Sequence, residues 1–146
     1  MPANFGGRLS SVIDIQMKEG NTKRFEMEGG IGIISSRLTL QGPFKKPKSV
    51  KPAKGSFLLS GRRTYAFDIA QPFIKKTDFG GTNYFFYDVN IKANYQFSDK
   101  DRLYISGYYG RDVFVYNSAK NNTNVKIPWG NATATVRYNH LFSDKL

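Results

Sequence analysis

The chain has 146 residues, a formal net charge of +11 and 15% aromatic residues, with no cysteine and one histidine. That length suits one domain or part of one, and the missing cysteine excludes disulfide frameworks, thiolate metal sites and cysteine nucleophiles. Ser-His-Asp catalysis would have to be built on His140, and no apolar run approaches the ~18 residues of a membrane helix, so neither an enzyme nor a helical membrane protein is expected.

From the N-terminus, Met1 is followed by Pro-Ala-Asn-Phe-Gly-Gly, without the basic and apolar regions of a signal peptide. As written, the chain is expected to stay in the cytoplasm. Lys23 to Phe44 alternates at Phe25, Met27, Gly29 and Ile31, then at Leu38 and Leu40 in the opposite phase. A tight hairpin or a bulge near Ile33 to Ser36 accounts for the shift. Pro43 to Gly55, with Pro43, Pro47 and Pro52 among lysines, reads as a turn. Ser56 to Asp68 sets Phe57, Leu59, Gly61, Tyr65 and Phe67 against Ser60, Arg62, Thr64 and Asp68, with Arg63 interrupting the apolar side. Ala70 to Asn83 is polar and reads as a loop.

The clearest strand follows. From Tyr84 to Phe97 the odd positions are Phe85, Tyr87, Val89, Ile91, Ala93, Tyr95 and Phe97, and the even ones include Asp88, Asn90, Lys92, Asn94 and Gln96. Phe97-Ser98-Asp99-Lys100 is a tight polar turn, and the same tetrapeptide recurs at Phe142-Ser143-Asp144-Lys145. Between the two copies, Leu103, Ile105, Gly107 and Tyr109 open a strand to about Tyr116, Asn117 to Pro128 reads as a second long loop, and Trp129 to Phe142 alternates again. No helix is expected. Tight turns at one end and long loops at the other predict an all-β, antiparallel up-and-down meander.

Strand length narrows the fold class. Strands of ~14 residues exceed the usual ~5–6 of a small soluble sheet. The apolar side of Tyr84 to Phe97 is banded, with aromatic rings at both ends and Val89, Ile91 and Ala93 between. Tyr87 to Tyr95 spans ~26 Å along a strand at ~3.3 Å per residue, or roughly 20 Å at a tilt near 40°, close to the apolar band of an outer-membrane barrel. In lipid such strands require a closed barrel, because every backbone group must be paired.

Several segments resemble the TonB-dependent outer-membrane receptor family. Phe5-Gly6-Gly7-Arg8-Leu9-Ser10-Ser11-Val12-Ile13-Asp14-Ile15 is similar to the last strand of the plug domain. Leu38-Thr39-Leu40-Gln41-Gly42-Pro43 resembles an early barrel strand ending at a periplasmic turn, and Arg62-Arg63-Thr64-Tyr65 and Phe97-Ser98-Asp99-Lys100-Asp101-Arg102-Leu103 resemble the next strand and turn. The resemblance implies that residues 1–20 are the end of a plug and residues 21–146 the first six or so strands of a transmembrane β-barrel of about 22. The chain is then an incomplete section of that barrel, a fragment lacking the signal peptide, the TonB-binding segment and most of the plug. It also implies an outer-membrane location for the parent, uptake of a scarce nutrient such as an iron chelate, vitamin or oligosaccharide, and outer-membrane lipid and TonB as partners. No cofactor is implied.

Candidate ligand contacts are Lys75, Lys76, Asp78, Asn83 and Tyr84 around the first long loop and Tyr116, Asn117 and Trp129 around the second, with Lys120, Asn121 and Asn122 at its tip. The alternative for all of them is solvated loop tips and girdle residues without a ligand. Arg62, Asp88, Lys92 and Arg137, with Asp112, fall on the polar side and would face the lumen, forming ion pairs in the wall. Gly29-Gly30-Ile31-Gly32 lacks the strand–helix setting of a phosphate loop, Asp99-Lys100-Asp101 lacks the further ligands of a calcium loop, and His140 reads as a girdle or packing residue, so no metal site is expected. The rival class is a basic, aromatic-rich β module that binds single-stranded nucleic acid. Such a platform needs rings and cations on one face, whereas Tyr84 to Phe97 mostly separates them, so no nucleic-acid partner is expected.

Overall fold

Alternation of apolar and polar residues becomes one twisted sheet in the computed structural model of the chain, which describes residues 17–47, 52–77, 79–118 and 122–143. The elements are β1 (Glu26–Ile31), β2 (Ser35–Pro43), β3 (Gly55–Thr64), α1 (Ala66–Ile74), β4 (Thr82–Gln96), β5 (Asp101–Ser118) and β6 (Thr123–His140). The six strands pair in sequence order, every pair antiparallel, as an all-β meander with one short helix.

Register carries each strand's alternation across the whole sheet. Met27, Leu40, Leu59, Ile91, Gly107 and Ala134 are successive partners through all six strands. The adjacent row is Glu28, Thr39, Ser60, Asn90, Tyr108 and Thr133. One face is therefore apolar and the other polar over their common width, because a side-chain period of two keeps the parity once the register is set. The phase shift between Ile31 and Leu38 resolves as a hairpin in which Ile31 pairs with Ser36 and the Gly32 N–H donates to the Ser35 carbonyl at 2.9 Å. Tyr65 fastens this hairpin to the end of β3, donating to the Gly32 carbonyl at 2.6 Å and meeting the Ser36 hydroxyl at 2.8 Å.

Three expectations are corrected. The reading without helices fails at α1, which occupies the end of the expected strand Ser56 to Asp68 and the start of the expected loop Ala70 to Asn83. Its nine residues make only about two and a half turns, and Pro72 inside it reads as a breaker, so no helical period could register. Tertiary contacts hold it: Gln71 Nε2 donates to the Thr82 carbonyl at 2.7 Å, and Asn83 Nδ2 to Asp68 Oδ1 at 2.9 Å. The second long loop is also mostly strand, since β5 runs to Ser118 and β6 resumes at Thr123. Pro128 stands within β6 opposite Val113, where the strand absorbs a residue without an N–H. Asn122 closes the connection at a φ of 46°, a left-handed conformation that asparagine tolerates. The ends of the sheet are consequently not one short and one long: tight connections occur at both, and each also carries a longer one, residues 44–54 between β2 and β3 and the helix-bearing stretch between β3 and β4.

The N-terminal segment crosses the polar face near the end opposite α1. Lys92 Nζ donates to the Met17 carbonyl at 2.7 Å and lies 2.7 Å from Glu19 Oε1, while Asn94 Nδ2 donates to Glu19 Oε2 at 2.8 Å. Gly20 lies so close to β3 that a side chain there would collide with the Phe57 carbonyl. The Phe5 to Ile15 segment read as a plug strand lies outside the described residues.

Burial runs opposite to that of a soluble domain. Among the described residues, Ser56, Thr64, Thr82 and Asp88 are buried against a single buried apolar side chain, Val113. On the apolar face Met27 is 69%, Ile91 53% and Val136 68% exposed.

At the 97–100 turn, Asp101 accepts hydrogen bonds from Ser98 Oγ at 2.5 Å, Tyr138 Oη at 2.5 Å and His140 Nδ1 at 2.6 Å. These donors, Ser98 first, then Tyr138 and His140, hold its carboxyl well below the usual carboxylate range. Because the folded pKa is depressed, the turn's contribution is fully present above the ordinary aspartate range and is lost as pH falls through the depressed value. Asp101→Ala is expected to remove that acid dependence and to speed amide exchange at Phe97 and Leu141, whose N–H groups bond across this turn.

Candidate functional site: an aromatic cluster beside the helix

The polar face changes character near α1. Even positions of β4 are polar from Asp88 onward, but Tyr84 and Phe86 precede them. Phe86, Asp112 and Trp129 are successive partners across β4, β5 and β6, which aligns a ring, a carboxylate and an indole on neighbouring strands. Tyr84 is the hub. Its ring stacks on Trp129 with centroids 6.1 Å apart and planes at 24°, and meets Phe67 of α1 edge-on at 6.5 Å. Its hydroxyl donates to Asp112 Oδ1 at 2.5 Å. Thr64 anchors Phe86 by accepting its backbone N–H at 2.8 Å.

Below the rings, Arg62 and Asp88 face each other across β3 and β4. Asp88 is 8% exposed, and its Oδ2 accepts from Arg62 Nε at 2.9 Å and lies 2.8 Å from Arg62 Nη2. The same guanidinium stands 4.9 Å from the centroid of the Phe86 ring. With Trp129 48% exposed, the cluster presents an accessible indole beside the Asp112 carboxylate, with the Arg62 guanidinium beyond the Phe86 ring. Such a surface can stack a flat or apolar ligand face and hydrogen-bond groups at its edge.

Of the residues singled out from sequence, Tyr84 and Trp129 are brought together, and Trp129 lies within β6 instead of at a loop end. Lys75 and Lys76 are exposed in the turn after α1, away from the rings' contacts. Asn83 ties β4 to the helix through Asp68, and its own Oδ1 is buried without a partner. Tyr116 pairs with Val125 and Asn117 with Asn124 inside the β5–β6 ladder, and the Asn117 N–H donates to the Gly81 carbonyl at 2.8 Å, so both are strand residues and not loop-tip contacts. Asp78, Lys120 and Asn121 lie outside the described residues. Arg62, Asp88, Lys92 and Arg137 share the polar face, with Arg137 stacked over Tyr104 at 4.3 Å.

Phe86 escaped the sequence reading, and Phe67, expected on the apolar side of a strand, stands on α1 instead. Phe86 had a signal, since two aromatics at Tyr84 and Phe86 break an otherwise polar parity; Phe67 had none, because its position depends on the helix. Among the described residues no three acidic or histidine side chains converge as a metal set. Trp129 is the only tryptophan in the chain, so its fluorescence reports on the cluster alone. Tyr84→Ala is expected to shift that emission to the red and to remove about 0.5–1.5 kcal/mol of ring–ring stabilisation, measured by denaturant titration. No known protein family, curated protein or solved structure matches the chain.

Proposed function

We propose that the chain is a wall section of an outer-membrane β-barrel of the TonB-dependent receptor type, acting in the uptake of a scarce nutrient. The observation that carries this reading is the inverted burial: an apolar face runs across all six strands and is open, while the polar face holds most of the buried side chains. In water that face would be a large exposed apolar patch; against lipid tails it is satisfied. Both outer strands, β1 and β6, have an unpaired side among the described residues, and a lipid-embedded sheet has to close, so further strands complete the barrel.

Two features fit the receptor type in particular. The segment at Met17 and Glu19 crosses the polar face on Lys92 and Asn94, the route a plug would take into its barrel. The Tyr84–Trp129 cluster lies at the opposite end of that face, where an arriving ligand would first meet the wall. In such a receptor TonB acts on the plug, and the ion-paired wall stays fixed while the plug moves.

A second reading, a single-stranded nucleic-acid module, gains from one observation: Arg62 over Phe86 and Arg137 over Tyr104 place cations and rings on the same face after all. One experiment separates the two. Diluted from urea with phosphatidylcholine vesicles, the chain is expected to associate through its apolar face and float with the lipid, without closing a barrel of its own. A cooperative-melting monomer left in the lipid-free fraction, with a salt-sensitive shift of labelled single-stranded DNA, would overturn the membrane reading in favour of the second.

A further inference from the structure

Charge is distributed unevenly around the aromatic cluster. The chain carries +11, yet the cation that its contacts place beside these rings, Arg62, is committed to Asp88. Asp112 has no such partner: it takes part in no ion pair among the described residues. Its Oδ1 accepts the Tyr84 hydroxyl at 2.5 Å, and the residue is half-buried. Two carboxylates against one guanidinium leave this part of the polar face locally negative in a strongly positive chain.

The groups around Asp112 are held in place by the protein itself. Trp129 is its partner on β6, so indole and carboxylate project side by side from the polar face. Tyr84 reaches across β5 and fixes both, its ring stacked on the indole and its hydroxyl on the carboxylate. Phe67 meets Tyr84 edge-on, which ties the arrangement to α1. Because the Tyr84 proton is directed at Asp112 and the Arg62 guanidinium at Asp88, neither is free to receive an anion. What stays accessible is electron-rich, an indole 48% exposed beside a carboxylate. The face of an aromatic ring and a carboxylate both attract a cation and both repel an anion.

We propose that Trp129, Tyr84 and Asp112 form a subsite for the cationic group of an organic ligand, an ammonium with apolar substituents seated against the indole and within reach of the carboxylate. An ammonium of that kind suits the place better than a metal ion: aromatic rings bind quaternary ammonium groups well, whereas one carboxylate is too few ligands for a hard cation. Assigning this group to an imported nutrient rests on the receptor reading, while the affinity for a cation rests on the cluster alone.

Titration of the chain in non-ionic micelles with benzyltrimethylammonium, benzyl alcohol and phenylacetate tests this, with Trp129 emission as the readout. A saturable change is expected with the cation, at an affinity about tenfold above that of the neutral probe, and no saturable change with the anion. Asp112→Asn removes the charge but keeps an oxygen for the Tyr84 hydroxyl; it is expected to weaken the cation about three- to fivefold and to leave the alcohol unchanged. Asp112→Glu, which keeps the charge, is expected to bind the cation more tightly than Asp112→Asn. Asp99→Asn removes the same charge in the turn between β4 and β5, at the other end of the sheet, and is expected to behave as wild type. Equal affinity for the three probes, no saturable change with the cation, or an Asp112→Asn chain that binds it as wild type would overturn the subsite. Circular dichroism of each variant checks that the sheet is intact. Asp112-dependent cation binding by a chain that does not float with vesicles would support the subsite and overturn the receptor reading, so the two failures are distinguishable.

Discussion

Ile91→Arg is expected to lower vesicle association of the chain by roughly 30- to 1,000-fold, corresponding to about 2–4 kcal/mol for an arginine near the bilayer midplane. Asn90→Arg, one residue away, is expected to leave association near wild type. Ile91 lies midway between the rings of Tyr87 and Tyr95, is 53% exposed, and shares its row with Met27, Leu40, Leu59, Gly107 and Ala134. A guanidinium there has no partner and no short path to a headgroup. Asn90 shares the opposite row with Glu28, Thr39, Ser60, Tyr108 and Thr133, where a cation meets polar neighbours. Both substitutions add the same charge, so their difference reads parity alone. Co-flotation with vesicles against free chain measures it, and equal behaviour of the two variants would refute a lipid-facing assignment of the odd positions of β4.

The second large effect concerns the wall pair. Arg62→Ala is expected to destabilise the chain by about 1–3 kcal/mol in micelles, and Asp88→Asn by less. The asymmetry follows from exposure. Asp88 has a side chain only 10% exposed, whereas that of Arg62 is 52% exposed. Removing the arginine strands a buried carboxylate; removing the carboxylate leaves a guanidinium that water and the Phe86 ring still reach. The double variant Arg62→Ala, Asp88→Asn is expected to recover part of the loss, because the neutral amide no longer needs a cation. Denaturant titrations of the four chains form the cycle, and additive losses would show that the two groups are not coupled.

How far the sequence reached can be judged at particular residues. Tyr84 to Phe97 was legible because near-perfect alternation over a long stretch leaves one pairing parity, and β4 covers it almost end to end. The hairpin between Ile31 and Ser36 was legible as a phase shift, since period-two strands reverse parity only at a turn or bulge. The helix was not, because a nine-residue segment containing Pro72 has no usable period and forms only with Thr82, Asn83 and Tyr84 to dock on. Asn117 to Pro128 misread for the opposite reason: Asn, Lys and Pro mark a loop by composition, yet β5 and β6 pair through them, from Ser118 against Thr123 to Val113 against Pro128. In the candidate site, Tyr84 and Trp129 could be named separately, but no spacing joins residues 45 positions apart.

The sequence by itself determined the strand-rich class, the parity of each long strand and the separation of rings and aliphatics from most of the charge. These are local consequences of a two-residue period and need no knowledge of neighbours. Only the tertiary structure decided the register that aligns the rows across six strands, the helix that carries Phe67 to Tyr84, and the placing of Asp112 opposite Trp129. Those depend on which residues stand opposite one another, and pairing between strands distant in sequence is fixed by packing and hydrogen bonding of the whole sheet.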